Sequence, residues 1–238
     1  MAQVINTNVA ALFAGAALNK SAIGLQTAQQ RLSSGLRINS AADDATGLGI
    51  ATDFDSRIRA ANQNIRKAND GISAAQVNDG YLAQIQENTQ RLREIYIQTG
   101  AVTNEEAVGL FAENARLDGL VTASTAVTVD EGGGTAGGYG GTFTAATTYA
   151  NLAAFDTELD AIVTARAEFG ADISALSSAV ASLQIAVVNN SASLSRVLDT
   201  DYAAETAAQA KNNILQQAGT AVLAQANQNP STVLSLLR

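Results

Sequence analysis

Two stretches of the sequence contain residue types that could do chemistry, and the first is a pair of aspartates near the C-terminal end. Asp199 and Asp201 lie two residues apart, and paired carboxylates can hold a metal or act as acid and base. No third type of ligand is nearby. A helical pattern follows Asp201, with Glu205 in its first turn, and carboxylates at a helix start accept backbone N–H groups. Helix capping is therefore the favoured interpretation.

The second stretch is glycine-rich, with seven glycines between residues 132 and 141. Glycine loops that cradle phosphate have GxxxxGK[ST] or GxGxxG spacing, and the stretch has neither spacing and no following Lys. Thr, Ala and Val alternate around it over residues 121–149, with Val127 and Val129 on one side and Phe143 on the other. This pattern predicts a small β-hairpin with a flexible tip rather than a phosphate site.

The composition removes most other chemistry. The chain has no Cys, His or Trp, so catalysis by His or Cys and metal sites built on them are excluded, and we expect no enzyme, no cofactor and no metal. A formal charge of −8 and a pI near 4.5 disfavour nucleic acid and anionic membrane as partners. No unbroken apolar run reaches the ~18 residues of a membrane span. No basic residue precedes the apolar run at 9–18, so export would not use a cleaved signal peptide.

The elements that would position any site are long helices with a heptad pattern. Over residues 169–197 apolar side chains recur in steps of four and three, which is typical of a coiled-coil seam about 42 Å long. A helix of this length needs an equally long partner, and residues 58–92 keep nearly the same period. The predicted seam residues are Ile58, Ile65, Ile72, Leu82, Phe169, Ile173, Leu176, Val180, Leu183 and Val187. The fold class predicted is mainly α, with long antiparallel helices packed as a coiled-coil-like rod.

Capping signals and helix breakers set the expected boundaries. Ser40 with Asp43 reads as a capping box that starts the second helix, and Thr103 with Glu106 as one that starts a shorter helix. The next long helix is expected over about 151–198, and Pro230 should break the last one. We expect a terminal domain of residues 1–42 plus 199–238 and a rod domain of residues 43–198, which includes the hairpin.

The two terminal helices have narrow apolar stripes that a single chain leaves underfilled, so each needs neighbours to persist. Repeated contact between identical subunits gives an open helical assembly when the rotation does not close. The predicted self-assembly residues are Val9, Leu12, Phe13, Ile23, Ile214, Leu215, Val222, Leu223, Leu234, Leu236, Leu237 and Arg238. A helical adaptor or signalling module, which would stay a monomer or closed dimer, is an alternative.

Two long sequence words resemble the two ends of bacterial flagellin. Residues 32–51 read LSSGLRINSAADDATGLGIA and residues 218–238 read AGTAVLAQANQNPSTVLSLLR, while residues 90–94 and 201–206 fit the same family. The resemblance implies a flagellar filament subunit outside the cell, which polymerises with itself. It also implies hook-junction proteins, a filament cap and an export chaperone as partners. A hook–filament junction protein has similar ends and is the alternative within this resemblance.

The same resemblance marks a segment read by a vertebrate Toll-like receptor. It corresponds here to Gln90, Arg91, Glu94 and Ile95. Arg91 matches the family pattern, whereas Ile95 and Tyr96 replace residues more usual in flagellins. The large outer domains that flagellins often carry are missing, because only residues 121–149 separate the helical regions.

Overall fold

The computed structural model describes residues 7–121, 129–131, 134–136, 144–146, 149 and 151–236, and it describes side chains for all of these except residues 129–131, 134–136 and 229–236. The fold is mainly α, as predicted. The helices are α1 (Val9–Ser34), α2 (Ala45–Thr99), α3 (Glu105–Val121), α4 (Leu152–Leu198) and α5 (Tyr202–Leu236). Helix α1 packs on α5, and α2 packs on α4, so N-terminal and C-terminal segments are paired.

Two strands of three residues each lie between α3 and α4. Strand β1 (Val129–Glu131) pairs antiparallel with β2 (Gly134–Ala136), with Val129 opposite Ala136 and Glu131 opposite Gly134. The predicted hairpin arms at Val127 and Phe143 lie outside the described residues, so the larger hairpin stays a prediction.

The chain forms two compact units. One contains residues 1–54 and 192–238, and the other contains residues 55–191. Both long helices therefore contribute to both units: α2 divides after Phe54 and α4 before Ala192. The domain boundaries expected from the sequence, at residues 42 and 199, stay a prediction about which segments act together in assembly.

Short polar side chains fix where the helices begin. The Asn104 Oδ1 atom accepts the N–H of Ala107 at 2.9 Å, and Asn151 Oδ1 accepts the N–H of Ala154 at 3.0 Å. Asp201 Oδ1 accepts the N–H groups of Ala203 and Ala204, which confirms the predicted cap of the last helix.

Two predicted capping boxes were wrong. Helix α2 begins one turn after Ser40, because Asp44 Oδ1 accepts the Gly47 N–H at 2.8 Å and acts as its cap. Asp43 does bind Ser40, because its carboxylate accepts the Ser40 backbone N–H at 2.9 Å and the Ser40 hydroxyl at 3.1 Å. These bonds stabilise a turn that precedes the helix rather than its first turn. In α3 the cap is Asn104 rather than Thr103.

The prediction that Pro230 breaks the last helix was also wrong, since α5 continues to Leu236. A proline inside a helix has no N–H to give to the carbonyl four residues earlier, here that of Ala226. The side-chain amide of Asn8 donates to that carbonyl at 2.8 Å and replaces the missing bond. The helix can therefore pass through the proline without leaving this carbonyl unbonded.

Helices α2 and α4 pack through layered apolar clusters in residues 55–191. Ala61 and Ala68 of α2 meet Leu176 and Leu183 of α4, so small residues on one helix accommodate large ones on the other. Of the predicted seam residues, the structure buries Leu82, Phe169, Leu176 and Leu183, and half-buries Ile58, Ile65, Ile72, Ile173, Val180 and Val187. Helix α3 covers the other half of this pair through Leu117 and Val121.

Among the described residues, α4 alone is long and apolar enough to cross a membrane when judged by length and composition, with mean hydropathy 1.6 over its most apolar 18-residue window. Counting unbroken apolar runs missed this property, because single polar residues interrupt the helix. In the folded chain Ile162, Phe169 and Leu176 of this helix are buried in clusters that they share with α2.

Candidate self-assembly surfaces

The α1–α5 pair presents an open apolar groove of about 810 Å³. Its walls come from both helices, with Phe13 and Leu18 on α1 and Leu215 and Val222 on α5. The helices approach closely at Gly219, where an added Cβ would lie 3.0 Å from the Leu18 side chain. An ion pair between Arg31 and Glu205 at 3.6 Å joins the same two helices at their other end.

Most of the predicted self-assembly side chains are exposed in the single chain. Phe13 is 78% exposed and Ile214 is 65% exposed, values unusual for large apolar residues. The others that are exposed are Val9, Leu12, Ile23, Leu215 and Val222, and Leu223 is half-buried. Leu234, Leu236, Leu237 and Arg238 lie beyond the described side chains. These exposed side chains, of which Phe13, Leu215 and Val222 line the groove, are apolar area that the chain itself does not cover.

Backbone hydrogen bonds join the turn that follows α1 to the turn that precedes α5. The Arg37 N–H donates to the Leu198 carbonyl at 2.7 Å, and the Thr200 N–H donates to the Gly35 carbonyl at 2.9 Å. The guanidinium of Arg37 also donates to the Val197 carbonyl at 2.7 Å. These bonds satisfy carbonyls at the C-terminal ends of α4 and α1 and hold the two turns together.

The predicted receptor segment lies on α2, where it faces α3. Arg91 binds Glu94 at 3.0 Å and Glu106 at 2.8 Å, and these hydrogen bonds raise the pKa of the Arg91 guanidinium. Gln90, Arg91 and Glu94 are exposed, whereas Ile95 is only 3% exposed. The Ile95 side chain belongs to an internal cluster and is not available to a partner.

Aromatic rings build the cluster that buries Ile95. Tyr149 stacks on Phe155 with centroids 4.0 Å apart and on Phe111 at 5.4 Å, and Tyr96 lies 5.7 Å from Phe155. Burial raises the pKa of the Tyr149 hydroxyl to about 12. The heptad pattern does not reveal this cluster, because its members come from four separate stretches of the chain.

A buried polar chain joins α2 to α3, and sequence reasoning missed it as well. Gln84 donates to Asn88 at 3.1 Å, Asn88 donates to Asn114 at 2.8 Å, and Asn114 donates to Thr89 at 3.4 Å. Asn88, Thr89 and Asn114 are all buried. A polar residue at a seam position was a detectable signal, since Asn88 interrupts the apolar steps between Ile85 and Leu92. Its partner on α3 was not detectable.

Two carboxylates from different helices hold the chain segment that follows the glycine-rich stretch. Glu158 of α4 accepts the N–H of Ala146 at 3.0 Å, and Asp118 of α3 accepts the N–H of Ala145. Burial raises the pKa of both carboxyls, and the charge of Asp118 further raises that of Glu158. This carboxylate pair anchors residues 144–146 between α3 and α4.

The aspartates first considered for chemistry have structural roles. Asp201 caps α5, and Asp199 forms an isolated antiparallel bridge with Leu36. Within the part of the chain that the structure describes, no group of three or more His, Cys, Asp or Glu side chains is placed to hold a metal ion.

Comparisons with known proteins agree over nearly the whole chain. Residues 5–129 match the family model for the bacterial flagellin N-terminal helical region, and residues 152–237 match that for the C-terminal helical region. A flagellar filament 33 kDa core protein of Treponema phagedenis is 34% identical over 285 aligned residues, which cover 99% of this chain and 100% of that protein.

Other relatives match over less than half of the chain. A flagellin of Salmonella typhimurium is 52% identical over 107 residues, and one of Escherichia coli is 50% identical over 107 residues. Each alignment covers 45% of this chain and 22% of the relative. The aligned part thus spans about a fifth of those longer proteins, whereas the Treponema protein aligns over its full length.

Proposed function

This chain belongs to the bacterial flagellin family and is a flagellin-type subunit of the flagellar filament, and we propose that it polymerises through the α1–α5 groove. The family is structural, so the chain is not an enzyme. The observation that carries the proposal is the exposure of Phe13, Leu215 and Val222, apolar residues that line this groove and that a single copy leaves open to water. Covering such a surface with a neighbouring copy removes apolar area from water and favours assembly.

In this proposal neighbouring copies in the filament cover the α1–α5 pair. The unit of residues 1–54 and 192–238 has equal numbers of both charges, and its α1–α5 pair has an apolar surface, which suits a position covered by neighbours. The filament lies outside the cell. An export chaperone binds the apolar terminal helices before assembly.

Hook-junction proteins and the filament cap are further proposed partners, because they would meet the same terminal surfaces at the two ends of a filament. A Toll-like receptor would meet Gln90, Arg91 and Glu94, whose side chains are exposed on α2. Arg91 is engaged with two glutamates, so the receptor would have to compete with those ion pairs.

Seeded polymerisation followed by electron microscopy tests this function. The parent chain should elongate filament seeds, and Phe13→Asp should reduce elongation strongly, because it places a charge in the apolar groove. Gln30→Asp adds the same charge at an exposed position of α1 outside the groove and is the matched control. Failure of the parent chain to elongate any seed, or equal behaviour of the two variants, would contradict the proposal.

A further inference from the structure

The net charge of the chain is confined to one of its two units. Residues 1–54 and 192–238 together contain six Lys or Arg and six Asp or Glu. The formal charge of −8 therefore belongs entirely to residues 55–191. A subunit that packs against many copies of itself must place this charge so that like charges do not meet.

The charge is also uneven within residues 55–191. Residues 55–76 and 173–191 contain four basic and two acidic residues, whereas residues 77–172 contain four basic and 14 acidic residues. These two sets occupy different ends of the antiparallel α2–α4 pair, because Arg166 of α4 binds Asp79 and Gln86 of α2 at 2.7 and 2.8 Å. One end is therefore slightly basic and the other is strongly acidic.

The basic end has an exposed pair of cations, Arg66 and Lys67, which we call the basic patch. Both lie on the side of α2 away from Ala61 and Ala68, which face the core. Arg66 donates to the amide oxygen of Gln63 at 2.7 Å. Across the part of the chain that the structure describes, neither cation forms an ion pair with a carboxylate.

The acidic end has an exposed pair of carboxylates on α4, Asp160 and Glu168, which we call the acidic patch. They lie on the side of α4 away from the buried Ile162 and Phe169. Within the described residues neither makes an ion pair. One turn further along, burial and then the charge of Glu168 raise the pKa of Asp172, so negative charge is crowded on this part of the helix.

We propose that the basic patch of one copy contacts the acidic patch of a neighbouring copy and sets their axial stagger in the filament. The inference rests on the proposed polymerisation. An open helical assembly needs two different, complementary patches on each subunit, and these two patches differ in sign, in helix and in axial level. The Arg166 contacts place Glu168 near the level of residue 80 of α2 and Asp160 near residue 88. Copies lying parallel would therefore be displaced by about 20 to 30 Å, at 1.5 Å per residue.

Attraction between exposed patches acts mainly on the rate of association and weakens with salt, since the Debye length is only about 10 Å at 0.1 M. A basic-reversed variant, Arg66→Glu with Lys67→Glu, should elongate parent seeds about tenfold more slowly than the parent at low salt. An acid-reversed variant, Asp160→Lys with Glu168→Lys, should be slowed to a similar extent. At about 1 M salt most of both differences should disappear.

The sharpest test mixes the two reversed variants in equal amounts. Each variant alone has two patches of one sign, but in a mixture every patch can find an opposite one on the other variant. We expect the mixture to form alternating filaments at near the parent rate. The matched control is Glu87→Lys with Glu105→Lys, which changes the net charge equally at exposed positions outside the acidic patch.

In a mixture with this control, whose two patches are intact, the basic-reversed chains should enter filaments no faster than they do alone. Equal rescue by the control would show that only overall charge matters and would overturn the inference, as would a mixture no faster than either variant. Circular dichroism melts of the variants distinguish a folding defect from a docking defect. Loss of elongation by the parent chain would instead count against polymerisation itself.

Discussion

The side-chain amide of Asn8 donates to the backbone carbonyl of Ala226 at 2.8 Å, across 218 residues of sequence. That carbonyl is the one that Pro230, four residues later, cannot bond within α5. The oxygen of the same amide accepts the Ala11 N–H at 3.1 Å and caps α1. One asparagine therefore starts one terminal helix and completes the other.

Replacing Asn8 with Asp should keep the cap and lose the donor to Ala226. We expect a loss of about 0.5 to 1.5 kcal/mol in the stability of the α1–α5 pair, the usual contribution of one hydrogen bond. Amide hydrogen exchange in α1 and α5 measures this loss of stability. In a Pro230→Ala background, residue 230 supplies its own N–H, so Asn8→Asp should cost less there. Equal costs in both backgrounds would mean that the Asn8 contact does not replace the missing bond.

Leu183→Ala should destabilise the unit formed by residues 55–191 by roughly 2 to 5 kcal/mol, because Leu183 is 4% exposed and packs in the seam between α2 and α4. Ile185→Ala is the matched control on the same helix, where the side chain is 63% exposed, and should change stability by less than about 0.5 kcal/mol. Denaturant unfolding of both variants measures their free energies of unfolding and tests this difference. Comparable losses would mean that the seam has another register.

The buried polar chain should respond differently to single and double substitution. Asn88→Leu leaves the Asn114 amide without its partner and should cost about 1 to 3 kcal/mol. Adding Asn114→Leu removes the orphaned group and should recover part of that loss. Chemical denaturation of the two variants gives the comparison, and a double variant less stable than Asn88→Leu alone would argue against this pairing.

The carboxylate pair at Asp118 and Glu158 predicts how stability changes with pH. Their folded-state pKa values are raised, chiefly by burial, so the folded chain holds these protons more tightly than the unfolded chain does. Their contribution to stability is therefore present below the ordinary carboxyl pKa range and is lost as the pH rises through the raised values.

Glu158→Gln removes the charge and can still accept the Ala146 N–H through its amide oxygen. The variant should melt at a higher temperature than the parent at neutral pH, with the difference shrinking on acidification. Glu87→Gln, at an exposed position, serves as control and should show no such trend. A constant difference between E158Q and the parent at all pH values would contradict the assignment.

Gly35 and Gly100 both adopt φ of 73°, so Ala at either position should cost about 1 to 2 kcal/mol from backbone strain. They differ in surroundings: an added Cβ at Gly35 would lie 3.1 Å from the Tyr202 hydroxyl oxygen, whereas at Gly100 it meets nothing within 4 Å. Gly35→Ala should therefore cost more than Gly100→Ala, and adding Tyr202→Phe should reduce the excess. Thermal melts of the three variants check the order.

The sequence by itself determined the helical class, the pairing of long helices and the apolar character of the terminal helices. Heptad steps are local and repeat many times, so a few polar interruptions do not hide them. The cap of α5 at Asp201 was equally readable, because an N-cap acts on N–H groups within three residues of itself.

Only the tertiary structure decided the features that depend on distant partners. Asp44 and Asn104, rather than Ser40 and Thr103, cap their helices, since neighbouring candidates compete and packing selects among them. Helix α5 passes Pro230 because a donor arrives from Asn8, and Ile95 is buried because rings from α3 and α4 cover it. A local pattern holds no information about which distant group will supply a hydrogen bond or cover a side chain, and that choice is made only when the chain packs.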